Sequence, residues 1–223
     1  MIILNCEQHS AQWFAARLGI PTASRFKDII TSQGKPAAGR KGYMHDLLGE
    51  RITRNATQIK ASYAMERGTA LEPLARAWYE LETGNDVAEV GFVIPDKDRR
   101  WGCSPDGLTK DGGCEIKCPM IKGMIGKLLA DKIPAEYYVQ IQAGMWICER
   151  KNWDFVLYSE DRNVPTMIKT ADRNDEFIAE MSKQVTAFCD LLDEKEEWLR
   201  ARYDIEKPKA VNINELPTGA MPF

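Results

Sequence analysis

The stretch from Ser104-Pro105-Asp106-Gly107 through Asp111-Gly112-Gly113 to Glu115-Ile116-Lys117 constrains this 223-residue chain more than any other. Asp-Gly-Gly is strong reverse-turn chemistry, so the runs on either side predict the two strands of a β-hairpin. Folding back at Gly112 sets Asp106 opposite the Glu115–Lys117 segment. Side chains alternate along a strand, so Glu115 and Lys117 share one face while Cys114, Ile116 and Cys118 take the other. Two carboxylates and a lysine thus gather on one hairpin. Such a group suits a hard divalent cation such as Mg²⁺, which takes carboxylate, carbonyl and water oxygens. Alone, the pattern also fits an ordinary turn followed by a solvated, cross-strand-paired face. Pro119 then stops the strand where a helix can begin.

Around the hairpin the sequence alternates between helical and extended patterns. A helix is expected from Ser10 to Leu18, capped by Ser10 and stopped by Gly19-Ile20-Pro21, and a second from about Thr22 to Ile30. Residues 31–41 form a basic loop rich in Gly and Pro, followed by a helix from Tyr43 to Arg54. Tyr63 to Thr83 has helical period, with Leu71, Leu74, Ala75, Trp78 and Leu81 on one side, and Pro73 kinks it or marks a fresh start near Glu72. Strands are expected over Val87–Ile94, Trp101–Ser104, Gly107–Lys110, Cys114–Cys118, Asn152–Ser159 and Thr166–Thr170. Helices are expected over Met120–Asp131, Ala135–Cys148 and Asn174–Arg202. Together these predict one α/β domain over residues 1–206, a central mixed β-sheet flanked by helices. Residues 207–223 form a Pro- and Gly-containing tail, whose Ala220-Met221-Pro222-Phe223 end is a docking tip or an inert terminus.

Charge enters because the total hides an asymmetry. The formal net charge is −3, yet residues 1–60 carry nine Lys/Arg against four Asp/Glu, and residues 171–206 carry eleven acidic against five basic. A phosphate-binding surface therefore belongs to the N-terminal part. The acidic stretch faces solvent or a partner. No apolar run has membrane-spanning length and no basic-then-apolar leader precedes the domain, so a soluble, unexported protein is expected. The six cysteines read as reduced thiols. Cys103, Cys114, Cys118 and Cys148 include no C-x-x-C pair, and His9 and His45 lie far off in sequence, which disfavours a thiolate metal site. The six tryptophans, Trp13, Trp78, Trp101, Trp146, Trp153 and Trp198, read mostly as core.

The same residues resemble the PD-(D/E)xK nucleases, and more closely the exonuclease of phage lambda and its YqaJ-like relatives. The resemblance is carried by Trp13 through Arg17-Leu18-Gly19, Thr22-Ala23-Ser24, Gly68 with Glu72, Cys103-Ser104-Pro105-Asp106-Gly107-Leu108, Glu115-Ile116-Lys117-Cys118-Pro119, Gln140-Ile141-Gln142 and Met145-Trp146. It implies a restriction-endonuclease-like core whose metal ligands fall on Glu72, Asp106, Glu115 and the carbonyl of Ile116. Lys117 then orients or deprotonates the attacking water, or stabilises the transition state, and Gln140 completes the site. Arg17, Ser24 and Ser104 match positions that hold a terminal 5′-phosphate. Tyr63 and Met65 fall where the family separates the DNA strands.

The implied activity is processive 5′→3′ digestion of one strand of double-stranded DNA with two Mg²⁺ ions, Mn²⁺ substituting, giving mononucleotides and a 3′ overhang. The implied assembly is a homotrimer working with a single-strand annealing protein, in the cytoplasm of a phage or prophage host. Alternatives are an endonuclease on the same fold or a non-catalytic DNA-end-binding module. For several residues the sequence also allows plain structural roles. Thr69-x-x-Glu72 fits a capping box, Arg17 can snorkel from its helix, Ser24 can cap the turn it begins, and Gln142 points away from Gln140.

Overall fold

The computed structural model describes residues 1–57, 62–96 and 98–207. The expected docking tip therefore lies outside the described residues. Thirteen elements run in order among them: β1 (Ile2–Leu4), α1 (Ala11–Arg17), a 3₁₀ helix (Ala23–Asp28), α2 (Arg40–Thr53), α3 (Tyr63–Thr83), β2 (Phe92–Ile94), β3 (Gly107–Leu108), β4 (Gly113–Lys117), α4 (Ile121–Ala130), α5 (Ala135–Ile147), β5 (Asn152–Leu157), β6 (Met167–Asp172) and α6 (Asp175–Tyr203).

The main sheet has the order β3-β4-β5-β6, with β4 and β5 parallel and both outer pairings antiparallel. A parallel pair requires a crossover connection, and α4 and α5 supply it. Strand alternation then decides what each helix covers. Cys114, Ile116 and Val156 project to one face and pack with Cys118 against Leu71, Ala75 and Tyr79 of α3. Trp153, Phe155 and Leu157 project to the other, into the large core formed with α5, α2 and α6. The result is the mixed sheet flanked by helices that the sequence predicts. A separate antiparallel ribbon of β1 and β2 carries α1, through Trp13, Ala16, Phe92 and Ile94.

The hairpin forms as its turn chemistry requires. Gly107 pairs with Cys114 and Leu108 with Gly113, while Thr109 N–H donates to the Gly112 carbonyl at 3.1 Å. Gly113 has a second reason to be glycine, since a Cβ there would stand 2.5 Å from the buried indole of Trp153.

Several local expectations are corrected. Residues 23–28 wind as a 3₁₀ helix in place of an α-helix over Thr22–Ile30, and α2 begins at Arg40, three residues before Tyr43. Pro73 does not restart a helix: α3 runs unbroken from its Ser62 cap, whose hydroxyl accepts from Met65 N–H. Leu74 and Leu81 face solvent, and Tyr79 takes the buried position with its hydroxyl donating to Asp154 at 2.5 Å. The strands expected over Val87–Ile94 and Trp101–Ser104 shrink to β2 and to isolated pairings of Ala88 with Leu108, Thr22 with Gly102 and Val93 with Cys103. Trp198 is exposed, not core. On α6 the acidic side chains Asp190, Asp193 and Glu196 pair with Arg51 and Arg100, so part of the charge asymmetry is neutralised within the molecule. No helix among the described residues is long and apolar enough to cross a membrane.

Candidate active site

The carboxylates converge because three elements meet at one edge of the hairpin. Asp106 immediately precedes β3, and its Oδ2 accepts the Ile116 N–H of β4 at 2.6 Å. Glu115, on the β4 face toward α5, is 2% exposed. Its Oε1 accepts from Gln140 Nε2 at 2.7 Å and lies 2.5 Å from Lys117 Nζ. Lys117 Nζ is 3.8 Å from Asp106 Oδ2 and 5.7 Å from the centre of the Tyr137 ring. Glu72, on α3, is bound at 2.9 Å by Arg76 one turn on. It is no capping residue, because Thr69 lies within the helix with its hydroxyl on the Met65 carbonyl.

Electrostatics set the character of the group. Burial pushes the Glu115 carboxyl up to about 7; Lys117 opposes the shift and Asp106 adds to it. Burial and the Asp106 charge likewise push Glu72 up to about 7, against the pull of Arg76 and Lys117. Desolvation draws the Lys117 ammonium down, but Glu115 and Asp106 outweigh it and the net shift is upward. As they stand, no three His, Cys, Asp or Glu side chains among the described residues close into a metal-holding cluster. Lys117 and Arg76 each occupy a carboxylate. The donors are nonetheless all hard oxygens, and their mutual repulsion is what a divalent cation relieves, so the set fits Mg²⁺.

These shifts carry a stability signature. Between pH 4.5 and about 7 the folded, metal-free protein binds more protons at Glu72 and Glu115 than the unfolded chain does. Their contribution is therefore complete at low pH and is lost as pH rises through that window. A shift of this size is worth on the order of 3 kcal/mol. Denaturant midpoints in chelator should fall between pH 5 and 7.5, and Glu115→Gln should flatten the slope. An equal slope in both proteins would refute the shift at Glu115.

The second cluster adjoins the first. Arg17, Ser24 and Ser104 line one cleft together with Glu115 and Gln140. Arg17, the last residue of α1, stacks over Trp13 at 4.1 Å and donates to Ser104 Oγ at 3.0 Å. Among the described residues it makes no ion pair, and burial pulls it down to about 10. Ser104 Oγ also accepts from the Trp13 indole N–H at 2.8 Å. Two N–H donors on its oxygen leave the hydroxyl hydrogen as the group's remaining bond to give. Ser24, the second residue of the 3₁₀ helix, has its Oγ 3.4 Å from Thr22 Oγ1.

The structure thus brings Asp106, Glu115, Lys117 and Gln140 together, places Glu72 beside them, and sets Arg17, Ser24 and Ser104 in the same cleft. Ile116 sits on β4 with its side chain in the core. Gln142 is structural, bridging the Asp172 carbonyl and the Asn174 N–H. Tyr63 and Met65 are exposed, Met65 seven residues before Glu72 on α3. Cys103 and Cys148 are free thiols with sulfurs 3.4 Å apart.

Sequence reasoning missed Trp13, Gln8 and Arg76 as parts of the site. Gln8 donates to the Pro105 carbonyl and steadies the loop before Asp106. Glu72-x-x-x-Arg76 is a visible (i,i+4) pair; nothing local marks the other two.

A mixed sheet flanked by helices, with Asp just before one strand, Glu-x-Lys on its paired neighbour and a helical Glu beside them, defines a nuclease core of the PD-(D/E)xK type. The model of the YqaJ-like viral recombinase domain matches residues 12–151, and the chain belongs to that family. The alkaline exonuclease LHK-Exo from Laribacter hongkongensis is 37% identical, with a TM-score of 0.80 over 87% of this chain and 98% of that one. Its complex with dAMP superposes equally well. A phage-related exonuclease from Haemophilus somnus 129PT, 14% identical with a TM-score of 0.60 over 81% of this chain and 96% of that one, shares the fold. Comparison with curated protein sequences gave no match. The family and its exonuclease structures support a nuclease function.

Proposed function

We propose that the chain is a Mg²⁺-dependent 5′→3′ exonuclease that degrades one strand of double-stranded DNA from a 5′-phosphorylated end. The observation that carries this reading is the shared cleft: Arg17, a cation without a carboxylate partner among the described residues, opens onto the same space as Glu115 and Gln140. A guanidinium and two hydroxyls suit a dianionic terminal phosphate. A terminal phosphate seated there fixes the scissile bond close to the strand end, which favours mononucleotide release. The dAMP complex of LHK-Exo concerns a molecule of that class.

Glu72, Asp106, Glu115 and the Ile116 carbonyl would hold the cations, two Mg²⁺ with Mn²⁺ able to substitute. When bound, they supply charge for the attacking and leaving oxygens and acidify a water. Gln140 fixes Glu115 and can turn an amide N–H toward the phosphate. Lys117 contributes positive charge beside the attacked phosphorus. Exposed Met65, two turns before Glu72 on its helix, suits strand separation at the entrance. A homotrimer, a single-strand annealing partner for the 3′ overhang, and a cytoplasmic phage or prophage setting belong to the same proposal and draw on the family resemblance.

Duplexes labelled at one 5′ or one 3′ end, with and without 5′-phosphate, test the reading directly. The expected result is release of labelled mononucleotide from the 5′ end first, dependence on Mg²⁺, and sparing of covalently closed circles. Cutting of closed circles would establish the endonuclease alternative. Binding without hydrolysis in Mg²⁺ would establish the non-catalytic one.

A further inference from the structure

Arg76 is a buried cation with three acceptors on three separate segments. Its Nη2 donates to Glu72 Oε1 at 2.9 Å and its Nε to the Asp106 carbonyl oxygen at 2.9 Å. Its Nη1 donates to Glu89 Oε1, on the exposed side of the segment between α3 and β2. An (i,i+4) ion pair on a helix surface contributes little to stability, so pairing with Glu72 alone does not account for burying an arginine. The planar fork, with five N–H donors and no acceptor, does account for it, because one rigid group can bind a helix side chain and a hairpin main chain together.

The consequences fall on two of the three site carboxylates. With Oε1 engaged by Arg76, Glu72 is turned so that Oε2 is the oxygen left to offer. Asp106 is held at both ends, its carbonyl by Arg76 and its Oδ2 by the Ile116 N–H at 2.6 Å. Among the described residues Arg76 is what joins Glu72 to the Asp106 main chain by hydrogen bonds.

We infer that Arg76 is a positioning residue of the carboxylate site, fixing Glu72 and the Asp106 main chain in one frame and thereby setting the affinity for a divalent cation. This rests on the metal-dependent nuclease reading. Partners that orient cation-binding carboxylates typically control affinity by 10–100-fold.

The test is calorimetric titration of Mg²⁺ and Mn²⁺ into the metal-free full chain, beside nuclease assays over a range of Mg²⁺. Arg76→Lys keeps the charge but replaces the fork by a point, and should raise the cation dissociation constant about tenfold. The Mg²⁺ needed for half-maximal turnover should rise in parallel. KM for DNA ends should not change, since Arg17, Ser24 and Ser104 are untouched. Glu89→Gln weakens the outer anchor alone, at an exposed position that tolerates the change, and should raise the constant about threefold.

A purely structural arginine would lower the melting temperature and leave the cation constant at the unaltered value. That value in both variants would overturn the inference, and Glu89→Gln decides alone should Arg76→Lys fail to fold. An unaltered protein that binds neither cation and releases no nucleotide would overturn the nuclease reading, and this inference with it.

Discussion

Lys117→Ala should lower nucleotide release from duplex ends about a thousand-fold while DNA-end binding stays close to that of the unaltered protein. The reason lies in where the ammonium sits. Its Nζ is 2.5 Å from Glu115 Oε1 and 3.8 Å from Asp106 Oδ2, and those two charges keep it protonated against the pull of desolvation. A lysine so placed is a fixed positive charge, suited to stabilising negative charge that develops at phosphorus. As a base it would first have to shed a proton that two carboxylates hold in place.

Lys117→Arg separates these roles. It preserves charge and cannot deprotonate, so partial turnover is expected from it if the charge is what counts, and a loss equal to that of alanine if proton abstraction is. Fold is expected to survive in Lys117→Ala, because Glu115, already up to about 7, takes a proton when its cation is removed. Single-turnover release of acid-soluble nucleotide in saturating Mg²⁺ is the measurement. Undiminished turnover by Lys117→Ala would remove Lys117 from the site altogether.

The parts of this site that are legible in sequence are those written in local chemistry. Asp111-Gly112-Gly113 specifies a turn, and alternation places Glu115 and Lys117 on one side and Cys114 and Ile116 on the other, as β4 shows. Helix spacing likewise sets Gln140 facing β4 and Gln142 away from it, toward Asp172 and Asn174.

What escapes is decided by contacts distant in sequence. Leu74 and Leu81 have the right period for a core face of α3, yet the sheet takes Leu71, Ala75 and Tyr79, since the position of β4 and β5 chooses among neighbouring stripes. Pro73 is tolerated without a fresh start because packing of the helix on the sheet outweighs one missing backbone bond. Trp13 looks like an ordinary amphipathic core residue until Ser104, 91 positions away, is found on its indole N–H. Arg76 is half legible: its tie to Glu72 is a helical spacing, whereas its bond to the Asp106 carbonyl exists only once the hairpin is folded.

Arg17→Ala should abolish the preference for 5′-phosphorylated over 5′-hydroxyl duplex ends, reducing the ratio of initiation rates by about 10- to 100-fold. Arg17 has what a phosphate site needs and what a merely snorkelling arginine lacks. Its guanidinium is turned inward over the Trp13 ring, bonded to Ser104 Oγ and without an acidic partner among the described residues. Burial has already pulled it down to about 10, a cost that an arriving dianion reverses.

The loss should appear only with the phosphate present. Ends lacking it make no use of the charge, so the variant should treat both substrates as the unaltered protein treats a 5′-hydroxyl end. Turnover once engaged should persist, because among the described residues Arg17 makes no hydrogen bond or ion pair with Lys117, Glu115 or Asp106. Ser104→Ala removes the hydroxyl that Arg17 and Trp13 both bind, and should reduce the same ratio less, by about threefold, as one neutral hydrogen bond would. Initial rates on matched duplexes differing only in the terminal phosphate decide the matter. An unchanged ratio in Arg17→Ala would show that this cleft does not read the strand end. The polarity of digestion would then need another origin in the fold.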